Sequence, residues 1–183
     1  MNTRLDLDGG YYLSSIVPGD EDALVTHFAD ETISEMIPAI PCPYTRMHAE
    51  SWVRHRVAVT RRLPAECTFA IRRHDGFLIG SVGVESFAIG EQDSAEFGYW
   101  LAADERGKGL ATASAEAFVQ YGFSKLGLKR IMARTLSCNP ASRRVLEKIG
   151  FQLIEILPLH TATRIGTFDT YLFERTIAFH IHL

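Results

Sequence analysis

Residues 95–112, AEFGYWLAADERGKGLAT, combine an apolar stretch, a glycine turn and the start of a helix. The apolar part predicts a strand, and Gly107 and Gly109 remove side chains from the turn, so that a ligand can approach its backbone closely. Unpaired backbone N–H groups and the positive end of the following helix both favour an anion. Arg106 and Lys108 add positive charge to the same turn. The stretch therefore predicts a phosphate-binding loop between a strand and a helix.

Three patterns of phosphate-binding loop can be compared with this stretch. A P-loop requires the spacing G-x-x-x-x-G-K-[ST], which the sequence lacks. A dinucleotide-binding loop requires G-x-G-x-x-G, but Thr112 stands where the third glycine belongs, and residues 131–138 carry no acid to hold a ribose. Residues 106–111 fit a third pattern, [QR]-x-x-G-x-[GA]. Taken alone, this short match is equally compatible with a helix-capping glycine loop whose cations are solvated.

The segments on either side of the loop predict a mixed α/β plan with the order β-α-α-β-β-β-α-β-α-β-β. Short apolar runs predict the strands, and apolar residues at helical spacing predict the helices. Residues 18–37 are predicted as one helix capped by Asp20, and later helices begin at Thr45, after the glycine loop, and at Asn139. Gly150 ends the last helix. The predicted strands are residues 11–17, 67–73, 77–87, 95–102, 129–136, 151–157 and 169–179.

Composition limits the class of protein. The chain has 183 residues, 46% of them hydrophobic, and a formal charge of −3; without repeats or linkers, residues 1–183 are predicted to form one domain. The charge argues against a nucleic-acid partner, and no apolar run approaches the roughly 20 residues of a membrane span. Three scattered cysteines and a polar N-terminal segment favour the reducing cytoplasm. We expect no metal, with His180 and His182 solvated, and a monomer or homodimer.

Four segments, in the same order, resemble the RimJ/RimL-type branch of the GNAT superfamily of N-acetyltransferases. Residues 106–111 are similar to the pyrophosphate loop of that family, and residues 139–151, NPASRRVLEKIGF, resemble its second signature, N-x-x-S-x-x-x-x-x-x-x-G-F. Upstream, residues 37–53, IPAIPCPYTRMHAESWV, resemble its segment I-P-x-P-Y-T-x-x-x-A-x-x-W. Downstream, residues 169–175 fit as an aspartate followed by an apolar strand that ends in arginine. The resemblance covers nearly the whole chain.

The resemblance implies an α/β GNAT fold, in which a mixed, mostly antiparallel sheet splays between strands 95–102 and 129–136 and is flanked by helices. Acetyl-CoA would lie in the V between these strands as the co-substrate. Its pyrophosphate would bind the loop, its pantetheine arm would extend the sheet along residues 99–101, and Asn139 would meet a pantetheine amide. The implied cofactor-binding residues are Tyr99, Trp100, Leu101, Arg106, Gly107, Lys108, Gly109, Leu110, Ala111, Thr112, Asn139 and Ser142.

Acetyl transfer to an amine requires a neutral amine, a stabilised oxyanion and a protonated leaving thiolate. The resemblance places Ser142 near the thioester sulfur. The tyrosine acid common in the family is missing just after Gly150-Phe151, so the acid role shifts to Ser142. Glu96, on the strand beside the thioester, is a candidate base. His160, whose ordinary pKa suits base chemistry, and Glu85 are further candidates.

The implied activity is acetyl-CoA-dependent N-acetylation by direct transfer in a ternary complex. The branch leans towards protein N-terminal α-amines, but polyamines, amino acids and aminoglycosides stay open as acceptors. Tyr44 would either line the acceptor mouth or anchor a helix entry. The rival interpretation is a non-catalytic acyl-CoA-binding module, and the presence of both Asn139 and Ser142 favours the enzyme.

Overall fold

The computed structural model describes residues 3–62, 65–87 and 93–177. Within these ranges the chain forms one sheet of eight strands, with five α-helices on its faces. The strands are β1 (Arg4–Asp6), β2 (Tyr12–Ser15), β3 (Thr68–Arg72), β4 (Leu78–Phe87), β5 (Ser94–Leu101), β6 (Arg130–Leu136), β7 (Gln152–Thr163) and β8 (Gly166–Thr176). The helices are α1 (Glu21–Phe28), α2 (Glu31–Met36), α3 (Arg46–Thr60), α4 (Leu110–Lys125) and α5 (Pro140–Lys148).

The strands lie side by side in the order β1-β2-β3-β4-β5-β6-β8-β7. The pair β5–β6 is parallel and the other six neighbouring pairs are antiparallel, which confirms the predicted mixed, mostly antiparallel sheet. The seven predicted strands all form, and the short β1 adds an eighth at the edge. His180 and His182 lie outside the described residues.

The prediction of one helix over residues 18–37 is wrong, because the chain breaks there into α1 and α2. Asp30 adopts an extended backbone between them, and its carboxylate accepts a hydrogen bond of 3.0 Å from the backbone N–H of Thr32. An aspartate in this position caps a new helix and ends the previous one.

Asp20 stands at the start of α1, but its side chain does not cap the helix as predicted. It is buried instead, where its two carboxylate oxygens accept hydrogen bonds of 2.7 and 2.8 Å from the guanidinium of Arg72 on β3. It also accepts a hydrogen bond of 2.8 Å from the backbone N–H of Val17. A paired, bidentate arginine compensates much of the cost of removing the carboxylate from water. Asp20 therefore fixes α1 to the sheet.

The two faces of the sheet build two separate cores. One face packs against α4 and α5, where Phe118 is fully buried and its ring lies 6.3 Å from Phe69 and 6.0 Å from Phe97. The other face packs against α1 and α3, where the ring of Trp100 lies 4.6 Å from that of Phe28 at an angle of 49°. Successive residues of β5 point to opposite faces, so this single strand contributes to both cores.

The two central strands separate partway along their length. β5 pairs with β6 only at residues 94–96, which face residues 130–132. Beyond that point residues 97–101 pair only with β4, and residues 133–136 pair only with β8. The predicted splay is thereby confirmed, and it leaves a V whose two inner edges carry backbone groups without a strand partner.

Candidate active site

The glycine loop lies immediately after β5, at the open end of the V. Its backbone turns through Gly107 and Gly109, each with a φ of +78°. Glycine adopts this left-handed conformation without the steric penalty of other residues. A Cβ built on either glycine would meet no atom within 4 Å, so the space above both residues is open. The loop thus presents bare backbone at the first turn of α4, where an anion is favoured.

The cations of the loop are exposed, as predicted, but neither is free. Lys108 donates a hydrogen bond of 2.9 Å to Glu105, and this hydrogen bond raises the pKa of Lys108. Glu105 is buried and also accepts a hydrogen bond of 3.0 Å from the hydroxyl of Tyr11. Arg106 donates through Nε to the carbonyl of Leu101, 3.2 Å away. These contacts hold the loop in shape and partly neutralise the charge of Lys108. Binding of an anion by the loop stays a prediction, and it would depend mainly on the backbone N–H groups.

On the α4–α5 side of the V, Asn139 and Ser142 come together with Tyr99. Asn139 caps α5 as predicted, since its side-chain oxygen accepts a hydrogen bond of 3.1 Å from the backbone N–H of Ser142. The Ser142 hydroxyl lies 3.0 Å from the Tyr99 hydroxyl. Burial raises the pKa of Tyr99 to about 12, so this phenol is neutral and can donate. A hydrogen bond from Tyr99 to Ser142 Oγ leaves the serine proton available to another acceptor.

On the opposite face of β5, Glu96 meets Arg134 of β6. The two side chains form an ion pair of 3.1 Å, in which 18% of the Glu96 side chain and 51% of the Arg134 side chain are exposed. Burial raises the pKa of Glu96, the charge of Arg134 lowers it, and the nearby charge of Glu85 raises it; the net direction is upward. Gly98 leaves room for this arrangement, because a Cβ there would lie 2.9 Å from Glu85 Oε1.

The hairpin of β7 and β8 extends past the end of β6 and carries His160. Here Leu159 has an unusual φ of +45°, and its backbone N–H donates a hydrogen bond of 2.9 Å to Asp169. His160 follows on this projecting bulge and is exposed. At the tip, Arg164 forms an ion pair of 3.1 Å with Glu31 of α2, which joins the hairpin to α2. His160 as a base stays a prediction.

Tyr44 packs into the core on the α1–α3 side. Its ring lies 4.6 Å from that of Phe28, and burial raises its pKa to about 12. This packing is what a residue that anchors the entry into α3 requires. Its role in binding an acceptor stays a prediction.

Sequence reasoning missed three parts of this arrangement. The sequence indicates no role for Arg134 or for the Tyr99 hydroxyl, and it does not indicate Glu105 as the buried partner of Lys108. Side chains alternate along strand 129–136, so Arg134 points to the face of the sheet opposite to that of Ala133. A charged residue on this strand is the sequence signal that could have indicated Arg134 as part of the cleft. The Tyr99–Ser142 contact joins residues 43 positions apart, and no local pattern indicates it.

The described part of the chain holds no group of three or more histidine, cysteine, aspartate or glutamate side chains suited to a metal ion. Among the helices of residues 3–62, 65–87 and 93–177, none has the length and apolar character needed to cross a membrane.

Comparison with known sequences adds a family assignment to this geometry. The sequence profile of the Acetyltransferase (GNAT) domain matches residues 12–152, which is more than half of the chain. The uncharacterised N-acetyltransferase YoaA of Bacillus subtilis (strain 168) is 35% identical over 103 residues, covering 56% of this chain and 58% of YoaA. The matched stretches span about half the length of the first curated relatives.

Solved structures agree with the fold. RimL, a ribosomal L7/L12 α-N-protein acetyltransferase in complex with coenzyme A, superposes with a TM-score of 0.84 at 15% identity, covering 96% of this chain and 98% of RimL. Spermidine N-acetyltransferase from Vibrio cholerae, in complex with coenzyme A and spermine, gives 0.78 at 20% identity, covering 92% and 96%. At these identities the likeness concerns the fold, and the profile match carries the family assignment. The chain belongs to the GNAT acetyltransferase family.

Proposed function

We propose that this protein transfers the acetyl group of acetyl-CoA to a primary amine, and that the preferred acceptor is the α-amine at the N-terminus of a protein. The observation that carries the proposal is the separation of β5 and β6 directly beside an open glycine loop. An extended arm can pair with the unpartnered edge of residues 97–101 while an anion at its end binds the loop backbone. Acetyl-CoA has both features.

The two faces of β5 divide the chemistry. Tyr99 and Ser142 lie on the α4–α5 side, where they would meet the thioester sulfur, and Glu96 lies on the opposite side, where the amine would enter. The amine nitrogen forms a bond to the acetyl carbon and the carbon–sulfur bond breaks. The amine proton goes to Glu96 or to solvent. The Ser142 hydroxyl donates a proton to the leaving thiolate and takes one back from solvent. Direct transfer of this kind needs no covalent acyl-enzyme.

The raised pKa of Glu96 suits a base, because a carboxylate with a higher pKa accepts a proton more readily. An α-amine has an ordinary pKa near 8, against about 10.4 for a lysine side chain, so it needs only modest help near neutral pH. Glu96 is thus better matched to an α-amine than to a strongly basic amine.

The local charge also favours a monovalent acceptor. Glu85 and Glu96 carry two negative charges and Arg134 one positive charge, which leaves a net charge of −1 beside the cleft. A peptide α-ammonium matches this charge, whereas a polyamine with three or four charges would require more unpaired carboxylates. The name of RimL, an α-N-protein acetyltransferase, supports the same choice. The spermidine enzyme supports the small-amine alternative.

The experiment is release of free thiol from acetyl-CoA in the presence of separate amines. We expect turnover with short peptides that have a free N-terminus, and little with N-terminally blocked peptides that contain lysine, with spermidine or with aminoglycosides. Turnover with spermidine and with no other amine would show that the acceptor is a polyamine, and it would still support an N-acetyltransferase. Tight binding of acetyl-CoA by calorimetry without turnover on any amine would favour the non-catalytic module.

The state of the thiols supports a proposal for the compartment. Cys42, Cys67 and Cys138 are all free, which supports a reducing compartment such as the cytoplasm. We keep both the monomer and the homodimer as proposals, and size-exclusion chromatography with light scattering distinguishes them.

A further inference from the structure

A groove on the surface shares no residue with the candidate active site. It has a volume of about 490 Å³ and runs along α3, opposite the turn that leads into α1. Pro18 and Gly19 of this turn form one wall. A Cβ built on Gly19 would meet no atom within 4 Å, so the space beside the turn is open. Pockets for small molecules usually have volumes of about 300–1,000 Å³, so the groove is large enough for one.

On the other wall, two arginines border an apolar stripe of α3. Arg54 and Arg61 are seven residues apart, and Arg61 continues the helical backbone with φ −66° and ψ −20°, so both lie on one helix face. They are separated by about 10 Å along the helix axis. Val57 and Ala58 lie one turn from each arginine and form the floor of the groove together with the buried Val53. The long arginine side chains can therefore approach one ligand from its two ends.

The other charges that line the groove are already paired. Glu50 forms an ion pair of 3.1 Å with Arg46, and Glu21 accepts a hydrogen bond of 2.6 Å from a backbone N–H of the turn. Arg54 and Arg61 are exposed, and among the described residues no carboxylate lies within 4 Å of either guanidinium. The groove therefore offers two unpaired cations beside an apolar floor.

We propose that this groove binds a small organic phosphate, with the phosphate held by Arg54 and Arg61 and an apolar body packed on the floor. The planar guanidinium matches the geometry of a phosphate and binds it through two parallel hydrogen bonds. A phosphate monoester carries a charge of about −1.5 to −2 at neutral pH, which matches two unpaired arginines better than the single charge of a carboxylate. The site is independent of the proposed function, because it lies outside the V and the glycine loop.

The test is an NMR titration of the ¹⁵N-labelled protein with phenyl phosphate, whose ring supplies the apolar body. We expect the backbone signals of Gly19 and of residues 53–61 to shift and to saturate. Phenyl sulfate has the same ring and one charge fewer, and it should bind roughly two- to fivefold more weakly, the range of one exposed charge interaction. The signals of residues 106–112 report separately on phosphate bound at the glycine loop.

Three variants test the residues that carry the proposal. The double variant Arg54→Gln/Arg61→Gln should bind phenyl phosphate about tenfold more weakly, because it loses two exposed charge interactions. Arg62→Gln is the matched control, since Arg62 adjoins Arg61 and is exposed but does not line the groove, and its affinity should stay within about twofold of the wild type. Ala58→Glu keeps both arginines and places a carboxylate between them, so it should abolish the shifts at α3. The undisturbed signals of β5 and α4 verify that each variant is folded.

The outcomes distinguish this site from the glycine loop. Shifts confined to residues 106–112 would overturn the inference and leave the proposed function intact. The inference is also overturned if residues 53–61 do not respond to millimolar phenyl phosphate, or if they respond equally in the wild type and in Ala58→Glu. An equal loss in Arg62→Gln and in the double variant would indicate general attraction to the basic end of α3 and no defined site. Failure of acetyl-CoA to shift residues 106–112 would count against the proposed function alone.

Discussion

Replacing Gly109 by aspartate tests the loop most directly. Gly109 has a φ of +78° and a ψ of −5°, and a side chain built there enters open space. The left-handed backbone costs a non-glycine residue about 1–2 kcal/mol, and aspartate tolerates it better than most. An aspartate at the N-cap exceeds a glycine there by only about a few tenths of a kcal/mol, so capping of α4 offsets little of this cost. The variant should therefore lose about 1 kcal/mol of stability and still fold.

Binding should respond differently from stability. The new carboxylate would stand where the pyrophosphate is expected, and two unit charges about 5 Å apart repel by about 1 kcal/mol in water and about 3 kcal/mol at an effective dielectric constant of 20. We therefore expect Gly109→Asp to weaken acetyl-CoA binding at least tenfold, which is about 1.4 kcal/mol. Gly109→Asn has nearly the same shape without the charge and should lose less.

The assay is isothermal titration calorimetry with acetyl-CoA, together with urea unfolding of each variant. Gly127→Asp is the matched control, because Gly127 has a φ of +69°, also has no atom within 4 Å of a built Cβ, and lies beyond the far end of α4. It should lose stability and keep its affinity for acetyl-CoA. Unchanged affinity in a folded Gly109→Asp protein, or an equal loss in Gly127→Asp, would refute the assignment of the loop.

Four further predictions concern single side chains. Lys108→Ala should weaken acetyl-CoA binding mildly, and less at high salt, since its charge is exposed and shared with Glu105; a salt-independent hundredfold loss by calorimetry would contradict this. Ser142→Ala should lower kcat more than it raises KM for acetyl-CoA, by about 10²-fold or less because a thiolate leaves readily; a pure KM effect would assign the serine to binding. Glu96→Gln should remove the acidic limb of the pH profile of kcat/KM. Arg134→Met should move that limb to higher pH, because loss of the positive charge raises the pKa of Glu96 further. If both variants keep the wild-type pH profile, the amine is deprotonated by solvent. Asp20→Ala should cost about 3–5 kcal/mol in urea unfolding, because it leaves a buried arginine without its partner; a loss below 1 kcal/mol would show that water compensates the arginine.

The local signals of the sequence were sufficient for most elements. Asn139 and Pro140 predict the start of α5, and the structure places the asparagine as the cap with the proline directly after it. Gly150 predicts its end, and there Phe151 N–H bonds to the Leu146 carbonyl at 3.0 Å while Gly150 N–H bonds to the Glu147 carbonyl at 3.1 Å. Both features depend on residues within one turn, so the sequence contains all that is needed.

The parts that could not be predicted depend on partners far along the chain. The local sequence predicts Asp20 as a helix cap. In the structure its carboxylate pairs instead with Arg72, which lies 52 residues later in the chain. Asp30 can cap a helix in the same way as Asp20. Tertiary packing decides which of the two aspartates acts as the cap. No local sequence pattern predicts the separation of β5 and β6, because it depends on where two strands that are distant in sequence stop forming backbone hydrogen bonds with each other. Only the resemblance to a family indicated it.

The separation of the strands also explains why the candidate residues fall into two groups. Glu96 and Tyr99 lie three positions apart on one strand and so point to opposite faces, one beside Arg134 and the other beside Ser142. A site with all its groups on one face would have to admit both reactants through the same opening. In the proposed mechanism, the gap between the strands lets the base reach the amine from one side and the acid reach the sulfur from the other. A variant that closes the gap should therefore abolish transfer even if Glu96, Tyr99 and Ser142 are all intact.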